Sequence, residues 1–274
     1  MSEVLLTGIT FGESPRWHDG RLWFCDWVAG EVIAVDAAGT SEVVLRVPFG
    51  LPFCIDWLPD GRMLAVDGPG ARLMRLEPDG TLVPHADLSG VAAPPWNDIA
   101  VDARGNAYVS GIGYTFPGGE PRTGFLALAT PDGEVTEAAR DVSFPNGLVV
   151  TPDGSTLILA ESHAARLTAW DVEPDGSLTG RRVWADLGEG AAPDGICLDA
   201  EGAVWYGDVP NRRCVRVREG GEVLQTVDLD LGCFACALGG HTLYMVAADW
   251  SDPARMMSEP TGRVHTEQVA VPGL

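Results

Sequence analysis

Basic side chains are scarce in this 274-residue sequence. Lys and Arg together number 18 against 39 Asp and Glu, which gives a formal net charge of −21 at pH 7. Nucleic acids and anionic membrane surfaces would be repelled by this charge, so neither is an expected partner. The charge is compatible with a bound cation or a neutral small molecule, and equally with a well-solvated acidic surface.

Long hydrophobic runs and a leader segment are also missing. No stretch approaches the roughly 20 apolar residues needed to span a bilayer. The first eight residues have neither the basic flank nor the apolar segment of a secretory signal. We therefore expect a cytoplasmic protein outside the membrane, either a monomer or a weak homo-oligomer.

Neither the cysteines nor the histidines form a recognisable metal-binding motif. The six cysteines are scattered, and the only close pair is Cys233 and Cys236. A structural zinc site would need a second pair, or histidines at ligand spacing. Buried, reduced thiols are therefore expected.

What the sequence does contain is a repeated turn. Six times, a short apolar run is followed by a tight turn ending in Gly and then by a run rich in Leu, Val, Tyr or Trp. These turn glycines are Gly20, Gly61, Gly105, Gly154, Gly202 and Gly240. A second set of turns alternates with them and ends at Gly39, Gly80, Gly133, Gly176, Gly221 and Gly262. Gly at such positions supplies the positive φ that hairpins require.

Two hairpins in each repeat imply four short antiparallel strands, which is the content of one propeller blade. The sequence therefore predicts an all-β fold: a six-bladed β-propeller with four antiparallel strands per blade, as a single domain over residues 1–274. The last repeat is one strand short. The segment Val4–Leu6 is predicted to supply the missing strand and so to close the ring without a long exposed edge.

Polar residues recur at one position ahead of the first turns. Counting back eight residues from each turn glycine gives, in blade order, Gly12, Phe53, Asn97, Asn146, Asp194 and Gly232. Three of these carry a side-chain oxygen, and Glu13 stands beside the first. Because the innermost strands of a propeller begin around one mouth of its channel, we expect these oxygens to converge there.

Two carboxylates cannot share such a spot as free anions. Like charges 4 Å apart repel by about 4 kcal/mol at an effective dielectric of 20, so either one takes a proton or a cation lies between them. With the Asn oxygens they form an all-oxygen set that suits one hard divalent ion, Ca²⁺ first and Mg²⁺ or Mn²⁺ next. Alternatively, Asn and Asp begin these strands because they tolerate turn geometry and cap local backbone. Asn146-Gly147 and Asp194-Gly195 also resemble turns.

At these residues the sequence resembles the senescence marker protein/gluconolactonase/luciferin-regenerating family, over essentially its whole length. The segments that carry the resemblance are Gly12-Glu-Ser-Pro-Arg-Trp17, Asn97-Asp98 ahead of Asp102-Ala-Arg-Gly105, Phe144-Pro-Asn-Gly-Leu148 with Thr151-Pro-Asp-Gly154, Pro193-Asp-Gly-Ile196 and Gly262-Arg-Val264. The resemblance implies a six-bladed propeller with one catalytic divalent metal, commonly Ca²⁺ or Zn²⁺. It also implies hydrolysis of a cyclic ester, often a sugar lactone, although some relatives hydrolyse organophosphates.

Carried over position by position, the resemblance implies that Glu13, Asn146 and Asp194 are metal ligands, with Asn97 as a ligand or substrate contact. Asp194 and Glu13 are then the expected catalytic residues. A bound ion would act as the Lewis acid toward the lactone carbonyl. Asp194 would accept a proton from the attacking water, or attack directly.

One departure from the family concerns the substrate. Members that act on sugar lactones often carry Arg two residues before the Asn at position 97, and here that residue is Pro95. The change disfavours a polyhydroxylated substrate. The residues expected to contact the substrate are Asn97, Trp96, Tyr114, Arg122 and Phe53, and Phe116 and Phe234 could make the pocket more apolar. Each aromatic residue taken singly would also fit a core position.

The segment 111–124 is rich in Gly and Pro and lengthens blade three near Asn97. It is either a lid over the mouth, with Arg122 partly replacing the missing Arg, or an ordinary surface loop. The expected function is metal-dependent opening of a small lactone. The alternatives are a phosphotriesterase-like hydrolase using the same site and a non-catalytic metal-binding propeller.

Overall fold

A computed structural model describes residues 2–116 and 118–274 and consists almost entirely of β-strands. The strands run β1 (Glu3–Ile9), β2 (Gly12–His18), β3 (Arg21–Asp26), β4 (Glu31–Val35), β5 (Ser41–Arg46), β6 (Phe53–Trp57), β7 (Met63–Asp67), β8 (Arg72–Leu76), β9 (Leu82–Asp87), β10 (Trp96–Val101), β11 (Ala107–Gly111), β12 (Gly124–Ala129), β13 (Val135–Val142), β14 (Pro145–Val150), β15 (Thr156–Glu161), β16 (Arg166–Val172), β17 (Leu178–Asp186), β18 (Pro193–Leu198), β19 (Val204–Asp208), β20 (Arg213–Val217), β21 (Val223–Asp228), β22 (Gly232–Gly239), β23 (Thr242–Ala248) and β24 (Gly262–Gln268). The helical segments are a short 3₁₀ turn (Ser162–Ala164) and α1 (Pro253–Met256).

Within the described residues the strands form six four-stranded antiparallel sheets. Five sheets use consecutive strands, from β2–β5 to β18–β21, and the sixth joins β22–β24 with β1. Strand β1 pairs antiparallel with β24, from Glu3 opposite Thr266 to Ile9 opposite Gly262. The predicted six-bladed propeller and its closure by the first strand are both confirmed.

The connections between strands lie at two ends of the ring, because all six inner strands run in the same direction along its axis. One set, which we call the turn face, is 19–20, 36–40, 58–62, 77–81, 102–106, 130–134, 151–155, 173–177, 199–203, 218–222 and 240–241. The other set, which we call the mouth face, is 10–11, 27–30, 47–52, 68–71, 88–95, 112–123, 143–144, 162–165, 187–192, 209–212, 229–231 and 249–261. The inner strands β2, β6, β10, β14, β18 and β22 all start at the mouth face.

The predicted turn glycines lie on the turn face, with one exception. All six first-turn glycines have positive φ, as do Gly39, Gly80, Gly133, Gly176 and Gly221 of the second set. Gly262 was wrongly predicted to end a turn. It is the first residue of β24, and the connection before it is the long segment 249–261 that contains α1.

The hydrophobic core is divided among the blade interfaces. Six apolar clusters each combine residues of two successive blades, and the cluster between blades six and one closes the circle. Large rings such as Trp96, Trp205 and Tyr108 are fully buried there. No helix among the described residues is long and apolar enough to cross a membrane.

Candidate functional site at the channel mouth

The strand register defines which residues are equivalent at the mouth. The first residue of each inner strand pairs with the last residue of the neighbouring strand. The pairs are Gly12 with Asp26, Phe53 with Asp67, Trp96 with Gly111, Pro145 with Glu161, Pro193 with Asp208 and Gly232 with Ala248. One residue further along, the six equivalent positions are Glu13, Cys54, Asn97, Asn146, Asp194 and Cys233.

Glu13 is therefore itself the equivalent of the Asn and Asp residues. Counting back from the turn glycine misplaced blades one, two and six by one residue. The first turn has only two residues in blades one and six, and β6 lacks the extra residue of a bulge. Four of the six positions carry a side-chain oxygen, and the other two are Cys54 and Cys233.

A β-bulge begins at the mouth of most of the inner strands. Pairing shifts between Trp96 and Ile99 in β10, and strands β2, β14, β18 and β22 have the same irregularity near their starts. A bulge releases a residue from the ladder and redirects its side chain. This irregularity lets successive polar side chains leave the sheet and turn toward the axis.

The Asn146-Gly147 and Asp194-Gly195 pairs are not turns. Both lie inside strands, and neither glycine has positive φ. A Cβ on Gly147 would lie 2.6 Å from the Ile196 nitrogen, and one on Gly195 would overlap the Ala235 Cβ. Glycine is present because adjacent inner strands approach closely beside the axis.

Direct contacts connect the polar side chains of blades three and four. The Asn97 amide Nδ2 donates to Asn146 Oδ1 at 3.1 Å and to the Pro145 carbonyl at 3.3 Å. Asn146 Nδ2 donates to Ser162 Oγ at 3.3 Å, and that hydroxyl donates to the Pro193 carbonyl at 2.6 Å. Ser162, which the sequence did not single out, thus ties Asn146 to the start of the strand that carries Asp194.

Glu13 is buried and Asp194 is half-buried, and their carboxyl groups interact. Burial raises the pKa of Glu13 well above its usual range, and the nearby carboxylates of Asp194 and Asp98 raise it further. Burial also raises the pKa of Asp194, with Asp98 adding to the rise, while hydrogen bonds from Asn146 and the Gly195 N–H lower it. The Asp194 Oδ1 atom is buried and has no hydrogen-bond partner among the described residues.

A second polar group, which no motif in the sequence indicated, lies further along the inner strands. Arg16 Nη2 donates to Asp98 Oδ1 at 3.0 Å and to the Ile99 carbonyl at 2.7 Å. Burial lowers the pKa of Arg16, but the carboxylates of Asp98 and Asp56 outweigh this and raise it. Both partners stand inside the segments that carried the family resemblance, although no spacing rule connects them.

The predicted substrate residues are found in different environments. Phe53 and Trp96 are fully buried, because they occupy the position that pairs with the neighbouring strand and packs between blades. Asn97 is at the site. Tyr114 is half-buried and Arg122 is exposed, both on segment 112–123. Pro117, within the predicted lid, lies outside the described residues.

Apolar side chains surround the polar group on two sides. On one side, Phe116 lies 5.0 Å from Phe144, which stacks on His163 at 4.4 Å between ring centres. On the other side, Phe11 lies 4.7 Å from Phe234 and 5.1 Å from Trp27. Phe116 and Phe234 were expected near the substrate, whereas Phe11, Trp27 and Phe144 were not.

None of the described residues form a group of three or more acidic, His or Cys side chains that could hold a metal ion. The polar set at the mouth has two carboxylates and two amides, from Glu13, Asp194, Asn97 and Asn146. The six cysteines, all within the described residues, are free thiols, and Cys197 Sγ lies 3.7 Å from Cys236 Sγ at the interface of blades five and six.

Comparison with known proteins gives consistent matches along the chain. The family model for the SMP-30/Gluconolactonase/LRE-like region matches residues 11–249. Regucalcin from Bos taurus is 28% identical over 270 residues, 94% of this chain and 90% of that protein. The 6-deoxy-6-sulfogluconolactonase of Pseudomonas putida is 25% identical over 274 residues, 96% of this chain and 92% of that protein.

Among solved structures, regucalcin from Agrobacterium tumefaciens, described as a calcium-binding protein, superimposes with a TM-score of 0.81 at 23% identity. The match covers 100% of this chain and 95% of that one. At this identity the likeness shows the fold alone.

Proposed function

Because the chain belongs to the SMP-30/Gluconolactonase/LRE-like family, we propose that it is a hydrolase that opens a small lactone with the help of one divalent metal ion. The name of the Pseudomonas relative supports a lactone as the substrate class. The all-oxygen set of carboxylates and amides makes Ca²⁺ the first candidate ion. Zn²⁺, Mg²⁺ and Mn²⁺ are the alternatives.

The observation that carries the proposal is the pair of carboxyl groups of the buried Glu13 and the half-buried Asp194. Loss of water and nearby carboxylates raise the pKa of both groups, and Asp194 Oδ1 lacks a partner within the described chain. A hard divalent cation would neutralise both carboxylates and coordinate that oxygen. Glu13, Asn146 and Asp194 would hold the ion, and Asn97 would be a further ligand or a substrate contact.

When bound, such an ion supplies Lewis acidity toward the ester carbonyl. Asp194 accepts the proton of the attacking water in the proposed reaction, because Asn146 and the Gly195 N–H stabilise its charged form. Ser162 and Asn97 fix the Asn146 amide from two sides. Arg16 keeps Asp98 paired behind the site, so its negative charge is partly balanced.

The test starts from protein stripped with a chelator and titrated calorimetrically with Ca²⁺, Zn²⁺, Mg²⁺ and Mn²⁺. We expect one site per chain and turnover of γ- or δ-lactones that disappears with the ion and returns with it. Turnover that survives complete stripping would contradict the proposal. Faster hydrolysis of an aryl phosphotriester would favour the phosphotriesterase alternative, and ion binding without any turnover would favour a non-catalytic module.

A matched pair of variants locates the ion. Glu13→Gln removes one of the two carboxylates and should weaken Ca²⁺ binding by about tenfold or more, since a buried charge contact is lost. Asp153→Asn changes an exposed carboxylate on the turn face and should leave binding unchanged. Equal affinity in both variants would remove Glu13 from the site. The cytoplasmic location and the monomeric or weakly oligomeric state stay predictions, the latter checked by sedimentation.

A further inference from the structure

The aromatic side chains are distributed unevenly between interior and surface. All 21 Phe, Trp and Tyr residues belong to the described part of the chain, and among them only Phe116 and Trp250 are exposed, at 51% and 39%. Phe116 lies on segment 112–123 of blade three, and Trp250 on segment 249–261 of blade six. These are the two longest connections of the described structure. Blades three and six stand opposite each other in a ring of six.

The blade-three segment packs inward, toward the carboxylate site. Phe116 and Tyr114 contact Phe144, with ring centres 5.0 and 6.2 Å away. Phe144 stands two residues before Asn146, and its carbonyl accepts from the N–H of Ser162, whose hydroxyl contacts Asn146. The exposed Phe116 ring is therefore part of a wall that begins beside a proposed metal ligand.

The blade-six segment packs inward in the same way. Met256 is buried in a cluster with Phe11 and Phe234, and Phe11 lies two residues before Glu13. The Trp250 indole covers the start of β22, since a Cβ on Gly232 would lie only 2.7 Å from its Cδ1 atom. Trp250 thus stands at the level where the inner strands enter the mouth.

Polar groups of the blade-six segment are engaged locally. Asp252 caps α1 by accepting from the N–H groups of Ala254 and Arg255. Arg255 pairs with Glu259 and Asp249, and Asp249 accepts from the N–H and hydroxyl of Ser251. Covering the exposed rings with an apolar ligand group removes apolar surface from water and is favourable. The paired polar groups have few hydrogen bonds left to give to a polyhydroxylated ligand.

We propose that the substrate carries an apolar group, either an alkyl chain or an aromatic ring. This group is held between the Phe116 wall, formed by Phe116, Tyr114 and Phe144, and the Trp250 wall, formed by Trp250 and Met256. The ester of the substrate then lies at Glu13 and Asp194. This inference rests on the proposed hydrolase function and names its substrate class. It also assigns Phe116 and Trp250 as specificity-determining residues, on segments that lengthen only these two blades.

A lactone series tests the substrate class. Against γ-butyrolactone, we expect kcat/KM to be at least about tenfold higher for γ-decalactone and γ-phenyl-γ-butyrolactone, and no higher for glucono-δ-lactone. A preference for glucono-δ-lactone, or equal rates along the series, would overturn the inference while leaving the proposed hydrolase intact.

Binding of an unreactive analogue separates the two proposals. We expect 2-hexylcyclopentanone, which keeps the carbonyl but cannot be hydrolysed, to bind more tightly than cyclopentanone in calorimetric titrations. If it does so and no lactone is turned over, the apolar site stands and the hydrolase proposal fails. If it binds no better than cyclopentanone, the apolar site is overturned whatever the enzyme turns over.

Alanine variants test whether Phe116 and Trp250 contact the apolar group of the substrate. Phe116→Ala and Trp250→Ala should each lose about tenfold more kcat/KM on γ-decalactone than on γ-butyrolactone, and should weaken binding of the hexyl analogue. Val183→Ala, an exposed apolar residue on the outer strand β17, is the matched control and should change neither. Equal losses on the two lactones, or a loss in the control, would overturn the assignment. Thermal unfolding of each variant checks that the fold is retained.

Discussion

The two faces of the propeller differ in the length of the connections between their strands. On the turn face every connection between described strands has two or five residues and consists of tight, polar turns. On the mouth face the connections range from two residues to the thirteen of segment 249–261. Four of the six connections between paired strands at the mouth have four residues, so segments 112–123 and 249–261 are longer than joining paired strands requires.

Carboxyl groups on the two faces show the same contrast. On the turn face, Asp153 is exposed, and hydrogen bonds from Thr151 and Ser155 lower its pKa. At the mouth, burial and neighbouring carboxylates raise the pKa values of Glu13 and Asp194. The comparison teaches that residue type does not identify the site, since acidic residues abound on both faces. What sets Glu13 and Asp194 apart from Asp153 is loss of water beside a like charge.

The largest expected effect comes from exchanging one carboxylate on each face. Asp194→Asn should lower lactone kcat by about 10³-fold, because the variant loses the proposed proton acceptor. Asp153→Asn should leave kcat unchanged. Steady-state kinetics measures kcat of each variant, after Ca²⁺ binding has been verified. Wild-type kcat in metal-loaded Asp194→Asn would remove Asp194 from the mechanism and erase the contrast.

The next largest effect comes from comparing Arg16, inside the ring, with Arg218 on the turn face. Arg16→Met leaves Asp98 without its partner inside the ring, and should lower the free energy of unfolding by about 4 kcal/mol. Arg218→Met breaks an exposed pair with Glu222 on the turn face and should cost about 0.5 kcal/mol or less. Urea unfolding measures both. Equal losses would show that the Arg16 pair is no more important than a surface ion pair.

Glycines provide a third comparison. Gly195→Ala adds a Cβ that overlaps the Ala235 Cβ on the neighbouring inner strand, and should destabilise the protein by about 3 kcal/mol. Gly202→Ala on the turn face has open space but a φ of +76°, so only backbone strain of about 1 kcal/mol is expected. Calorimetric melting of both variants decides the order. A milder effect at Gly195 would mean that the inner strands separate easily.

The smallest expected effect is a pH dependence of opposite sign on the two faces. For Glu13 and Asp194 the folded-state pKa values are raised, so the folded metal-free protein holds protons that the unfolded chain releases. Their stabilising contribution is therefore complete below the ordinary carboxyl pKa and is lost as the pH rises through the raised values. For Asp153 the lowered pKa gives stability that is lost as the pH falls.

Denaturant titrations of metal-free protein across pH measure this dependence. Glu13→Gln should make the alkaline loss of stability shallower, and Asp153→Asn should leave it unchanged. Saturating Ca²⁺ should abolish it in the wild type, because the bound ion favours the charged carboxylates. An alkaline loss of the same slope in Glu13→Gln would contradict the assignment of Glu13.

Much of the architecture was predictable because it depends on local patterns. Glycines such as Gly105 and Gly154 terminate turns that only a positive φ allows, and their spacing counts the blades. The same count places Asn97, Asn146 and Asp194 at equivalent positions of their inner strands. The count is one residue off in blades one, two and six, because bulges and turn lengths differ between blades and local sequence does not reveal them.

The aromatic residues were harder to place for a different reason. Trp96 and Phe53 were expected at the substrate and lie in the core, whereas the exposed Trp250 was not singled out. All three side chains are large and aromatic. They differ in whether a neighbouring blade covers them. Arg16 and Asp98 are 82 residues apart and meet only because the ring closes.

The chain's own order of turns and apolar runs determined the six blades and their four strands, because hairpins depend on neighbours in sequence. Only the closed ring decided which oxygens face one another, which thiols and rings are covered and which carboxyl groups lose their water. Those properties depend on contacts between segments far apart in the chain, and burial, which sets the energy of a charge, exists only once these segments have packed.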